Sequence, residues 1–169
     1  MNIVLIGYRG TGKSAVGNLA AKKLGMKCVG MDAAIEERAG MPIPEIVMNE
    51  GWPGFRDRES QLVRELAAED GLVIDCGGGV IERPENIEAL RKNSVIVWLK
   101  ASVSTIVARI ESSTNRPALV EGKTFIEEVS EVLERRTPRY RSAAGFEIDT
   151  DTLTPEQIAE RLAEIYRRG

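Results

Sequence analysis

Apolar positions fall in two rhythms along this chain. Short continuous runs rich in Val and Ile recur between longer stretches in which apolar residues return every three or four positions. That alternation predicts parallel strands joined by helical crossovers. The runs place strands at 2–6, 27–31, 72–76, 95–99 and 146–149, and their unbroken apolar character suits strands covered on both faces. Helical spacing covers 13–24, about 54–68, 103–111 and 124 to about 140. A last helix is expected to start at the cap Thr154, with Pro155 in its first position and Ile158, Leu162 and Ile165 on one face.

Two stretches break the alternation. From about 32 to 60, short helices are interrupted at Gly40, Pro42 and Pro44 and again at Gly51, Pro53 and Gly54, an insertion larger than a crossover needs and able to cover a substrate. From about 112 to 123 the chain is polar, with Pro117 and Gly122, and reads as a mobile lid.

The length, 169 residues, suits one domain over 1–169, and a composition 43% hydrophobic and 29% charged is globular. The net charge of -3 excludes a broad basic footprint, so no nucleic-acid partner is expected and any anion site is local. There is no histidine, hence no Ser-His couple, no His metal ligand and no imidazole switch. Proton transfer falls to Asp, Glu or Lys. Cys28 and Cys76 are too few for a disulfide framework and read as buried thiols. Without a basic n-region at the start or an apolar stretch near the roughly 20 residues of a membrane span, a cytoplasmic protein without membrane association is expected.

The strongest motif is Gly7-Tyr8-Arg9-Gly10-Thr11-Gly12-Lys13-Ser14, which fits G-x-x-x-x-G-K-[ST] and lies between an expected strand and an expected helix. Its glycines let successive backbone N–H groups turn inward on phosphate, and the helix N-terminus adds its positive end. Gly10, Thr11, Gly12, Lys13, Ser14 and Ala15 are therefore the candidate cradle for a nucleotide's phosphates, with Lys13 on the β- and γ-phosphates and Ser14 on Mg2+. The loop leaves the phosphoryl acceptor open. No N-K-x-D guanine-reading motif is present, which argues against a signalling GTPase.

Other residues narrow the acceptor. Asp32, at the end of the second strand, is placed to take a proton from a hydroxyl, or to cap the helix at 33–38. Phe55-Arg56-Asp57-Arg58-Glu59 stands in the insertion, and Gly77, Gly78 and Gly79 follow the third strand, where backbone can approach a ligand closely. Arg116 in the lid and Arg136 before Tyr140 add guanidinium groups suited to carboxylate or phosphate.

In this order, together with Arg116-Pro117-Ala118-Leu119 and Arg135-Arg136-Thr137-Pro138-Arg139-Tyr140, the motifs resemble the shikimate kinases over nearly the whole chain. The resemblance implies a three-layer α/β P-loop kinase fold: a central five-stranded parallel sheet flanked by helices, with a substrate-binding insertion and a lid. It also implies transfer of the γ-phosphoryl of ATP to the 3-hydroxyl of shikimate, with Mg2+, in a monomer. By the same resemblance Asp32 orients and deprotonates the hydroxyl, Arg56 and Arg136 clamp the carboxylate, and Gly78 offers its N–H to shikimate. Arg116 closes over the phosphates beside Lys13, and Arg109 packs on the adenine.

One departure stands out. The family's usual Asp-x-Asp reads Gly30-Met31-Asp32 here, which removes a carboxylate that helps hold the metal's hydration shell. Asp75 ends an apolar run where many P-loop proteins place a metal-directed Asp, so Asp75, with Asp32, is a candidate to reach Mg2+ through water. Two alternatives remain at this point: a related small-molecule kinase such as a gluconate kinase, or a catalytically silent ATP-binding homologue.

Overall fold

The computed structural model describes residues 1–111 and 124–169. The expected lid, with Arg116, lies outside the described residues. Strands β1 (Asn2–Ile6), β2 (Lys27–Gly30), β3 (Leu72–Asp75), β4 (Ser94–Lys100) and β5 (Phe146–Asp149) form one parallel sheet in the order β2-β3-β1-β4-β5. The helices are α1 (Lys13–Leu24), α2 (Met31–Ala39), α3 (Ile43–Ala67), α4 (Pro84–Arg91), α5 (Val103–Ile110), α6 (Phe125–Ala143) and α7 (Pro155–Arg168).

Strand alternation sorts the core into two layers. Ile3, Leu5, Val73, Val97 and Leu99 point to one face, where they meet Val16 and Ala20 of α1 and Ile158 and Leu162 of α7. Val4, Ile6, Ile74, Ile96 and Trp98 point to the other and meet apolar side chains of α2, α3, α4 and α6. Both faces of β1 are therefore dry, which is what its unbroken apolar run required. Asn2 is the exception at its start: fully buried, it donates to the Glu69 carbonyl and accepts from the Leu72 amide, tying β1 to the approach into β3.

Adjacent strands β1 and β3 send the helices that follow them to opposite faces of the sheet, α1 to one and α4 to the other. In parallel sheets the crevice beyond the strand ends at such a switch point is the usual ligand site. The P-loop leaves β1 at this place. Its turn needs backbone that side-chain-bearing residues avoid, with φ of +83° at Gly10 and +88° at Gly12.

The elements depart from the sequence expectations in four places. Strand β2 stops at Gly30, because Met31 turns in as the first residue of α2 and is wholly buried. Asp32 is consequently neither the strand's last residue nor a cap: Gly30 fills the cap position and Asp32 lies in the first turn of α2, where the helix dipole favours negative charge. The break at Gly51 is a bend, φ +72° and ψ 174°, inside α3. Helix α6 runs past Pro138 to Ala143, and α4 was not foreseen, since eight residues with Ile87 and Leu90 as its buried apolar side chains give little periodicity to read. The C-terminal helix matches its expected start, with Thr154 and Gln157 forming a reciprocal capping box.

Candidate active site

Beyond the carboxyl ends of the strands lies a cavity of about 630 Å³. The P-loop from Gly10 through Ala15 forms one wall through Gly10, Gly12, Lys13, Ser14 and Ala15; Asp32 stands in the first turn of α2 and Asp75 at the end of β3, Gly77 and Gly78 form the floor, and Arg109 is at the rim. Thr11 is turned inward instead, its hydroxyl donating to the Tyr8 carbonyl at 2.9 Å. Lys13 is nearly buried and its ammonium donates to the carbonyls of Gly7 (2.8 Å) and Tyr8 (3.0 Å), which draws its charge across the mouth of the loop. Arg109 donates to the Gly10 carbonyl at 3.1 Å, joining α5 to the loop tip.

Ser14 and Asp75 meet directly: the hydroxyl donates to Asp75 Oδ2 at 2.6 Å. Gly30 is the register partner of Asp75 across β2 and β3, and a Cβ at position 30 would come within 3.9 Å of that same oxygen. The carboxylate on β3 thus occupies the neighbourhood that a side chain on β2 would share. A hydroxyl and a carboxylate, both oxygen donors beside a phosphate-binding loop, fit Mg2+, which characteristically keeps several waters and takes few protein ligands.

The two expected clamp arginines converge on the glycine turn from different helices. Arg56, on α3, donates to Glu59 Oε1 at 2.8 Å and lies over the rings of Trp52 and Phe55, 5.4 and 5.2 Å from their centroids. A Cβ on Gly79 would collide with its guanidinium, so glycine is what admits the arginine here. Arg136, on α6, is 3% exposed; its Nε donates to Glu82 Oε1 at 2.9 Å, and its Nη1 is 3.3 Å from where a Cβ on Gly78 would stand.

Three residues of the site received no role from sequence. Glu59 is fully buried, and burial raises its carboxyl above the ordinary value despite the opposing Arg56 charge. A Cβ on Gly77 would fall 2.8 Å from Asp32 Oδ1 and 3.0 Å from Glu59 Oε2, so both carboxylates flank that glycine. Tyr140 donates its hydroxyl to the Gly78 carbonyl at 2.6 Å, and burial pushes its pKa up to about 12. Glu82 receives Arg136 and is reached by Arg135 and Arg139 as well. The spacing of Arg56 and Glu59, one helical turn apart, was a readable signal. Glu82 is 54 residues from Arg136, and nothing local announces that contact.

The arrangement can hold a nucleotide's phosphates on one side, present a carboxylate at its centre and receive an anionic acceptor beside the glycine turn. The shikimate kinase family profile matches residues 9–167. A shikimate kinase of Thermodesulfovibrio yellowstonii is 44% identical over 167 residues, covering 99% of this chain and 95% of the relative. One from Pseudomonas syringae pv. syringae is 42% identical over 171 residues, covering 99% of each. The solved shikimate kinase from Acinetobacter baumannii in complex with shikimate superposes with a TM-score of 0.93 at 32% identity, covering 99% of this chain and 93% of that one. With its P-loop and the Asp32 and Asp75 carboxylates around one cavity, and with these matches over nearly its whole length, the chain belongs to the shikimate kinase family.

Proposed function

We propose that the protein transfers the γ-phosphoryl group of ATP to the 3-hydroxyl of shikimate, giving shikimate 3-phosphate and ADP on the route to chorismate and the aromatic amino acids. The observation that carries this is a cavity lined by a phosphate loop, the Asp32 carboxylate and the turn at Gly77 and Gly78, with two arginines directed at that same glycine turn. Forked guanidinium groups suit the carboxylate of a small polyol, and phosphoryl transfer asks mainly for positioning and charge neutralisation.

In this reading the backbone N–H groups from Gly10 to Ala15 hold the phosphates, and Lys13 stabilises charge on the transferring group. Asp32 orients the acceptor hydroxyl and takes its proton. Arg56 and Arg136 bind the carboxylate, and the Gly78 amide fixes the ring's approach. Arg109 packs on the adenine, and Arg116 closes over the phosphates from the segment outside the described residues. Ser14 would hold Mg2+ directly, with Asp75 and Asp32 acting through water. When bound, the metal neutralises charge on the β- and γ-phosphates. The enzyme acts as a cytoplasmic monomer.

The Arg56 and Arg136 placement, with family membership, favours shikimate over gluconate. A coupled ADP-release assay tests the reading: release should depend on shikimate and not respond to gluconate. ATP binding without shikimate-dependent release would instead mark a silent homologue.

A further inference from the structure

We propose that Glu82 is a positioning residue for the acceptor site: it takes the Nε edge of Arg136 and so turns that arginine's Nη1 toward the glycine turn, where it binds the acceptor's carboxylate. The inference rests on the functional reading above and deepens it. A guanidinium has five donors in a rigid plane, so a partner on one edge fixes where the others point. The Arg136 side chain is 4% exposed, and solvent therefore does little to reorient it. Its Nε donates to Glu82 Oε1 at 2.9 Å while Nη1 faces the Gly78 backbone, on the cavity floor.

The same short segment carries both halves of the device. A 3₁₀ turn, Val80–Glu82, follows the glycines, with the Val80 amide bonded to Gly77 O and the Glu82 amide bonded to Gly79 O. Gly78 and Glu82 are thereby held in fixed relation. Four residues beyond Arg136 on the same face of α6, Tyr140 donates to the Gly78 carbonyl. Helix α6 thus docks on the glycine turn at two points, one through Glu82 and one through Gly78.

A carboxylate beside a carboxylate-binding arginine would ordinarily compete with the ligand. Here Arg135 Nη2 and Arg139 Nη1 also approach Glu82, at 3.5 and 3.4 Å. Three arginines on one carboxylate leave the cluster net positive. Burial raises the Glu82 carboxyl, but the arginines, Arg136 foremost, outweigh it and hold it below the usual carboxylate range. Glu82 therefore stays an acceptor at neutral pH without cancelling the field that draws an anion.

The test compares Glu82→Ala and Glu82→Gln with wild type in steady-state kinetics and thermal melting, using shikimate and an analogue whose carboxylate is reduced to an alcohol. Releasing one charged hydrogen bond should raise the shikimate KM of Glu82→Ala about tenfold, with kcat and the ATP KM moving about twofold at most. Glu82→Gln should recover most of the loss, since its amide oxygen still accepts from Nε. With the alcohol analogue, wild type and Glu82→Ala should bind alike. An unchanged shikimate KM in Glu82→Ala, an equal rise in the ATP KM, or a loss that persists with the analogue would overturn the assignment. Should Glu82→Ala not fold, Glu82→Asp withdraws the acceptor by one methylene, and an unchanged shikimate KM there overturns it equally. Absence of shikimate-dependent ADP release from wild type would sink the functional reading instead.

Discussion

The Ser14 hydroxyl donates to Asp75 Oδ2 at 2.6 Å, linking the first turn of α1 to the end of β3. The contact puts a carboxylate one hydrogen bond behind the expected metal ligand. Loss of an outer-shell partner of this kind typically costs about tenfold or more in metal affinity. Asp75→Asn should therefore raise the Mg2+ concentration for half-maximal turnover by about that factor and weaken metal-dependent ADP binding measured by calorimetry. If both stay at wild-type values, Asp75 has no part in metal binding.

Placing a second carboxylate across the strand pair should conflict with the first. In Gly30→Asp the new side chain starts with its Cβ 3.9 Å from Asp75 Oδ2. Without metal, like-charge repulsion should lower the melting temperature, and Mg2+ with ADP should restore part of it. A variant whose melting is insensitive to the metal would contradict this.

Gly79→Ala should act on the acceptor alone. The added methyl drives into the Arg56 guanidinium, and overpacking of this kind costs about 1–3 kcal/mol. Because Arg56 stacks on Trp52, its displacement should shift tryptophan emission while the shikimate KM rises and the ATP KM holds. Unaltered emission with unaltered shikimate affinity would show that the arginine tolerates the methyl group.

Tyr140→Phe removes the donor to the Gly78 carbonyl from a site with no solvent access. An orphaned buried acceptor costs about 1–3 kcal/mol, which denaturant titration will resolve. A smaller loss would indicate that water enters to replace the phenol.

Glu59 makes stability depend on pH. Its folded pKa is raised, chiefly by burial, so its contribution is present below the ordinary carboxyl value and is lost as pH rises through the folded one. Glu59→Gln carries no such penalty. The melting temperature of Glu59→Gln minus that of wild type should accordingly grow from pH 4 toward pH 7; a difference that shrinks over this interval would reverse the sign assigned to burial.

Most of the frame was legible because its signals are local. The unbroken run at Asn2–Ile6, the glycines of the loop after it, and the Thr154-Pro155 start of α7 each state their structure within a few residues. Arg56 and Arg136 could be singled out as arginines, but not their aim. That depends on Gly78 and Gly79, on Glu59, and on Glu82 far along the chain, contacts made only when the sheet brings three helices to one end. The role of Asp32 was likewise readable, while its place inside the first turn of α2 followed from the burial of Met31, a tertiary demand with no local mark.

The floor at Gly77 and Gly78 is peptide and carries no side chains. A side chain added at either position would run into Asp32 and Glu59 at Gly77 or Arg136 at Gly78, so the floor keeps its bare peptide groups. Divergence toward a new acceptor is thereby channelled to the arginines and acids around the rim, while the surface beneath them stays chemically constant.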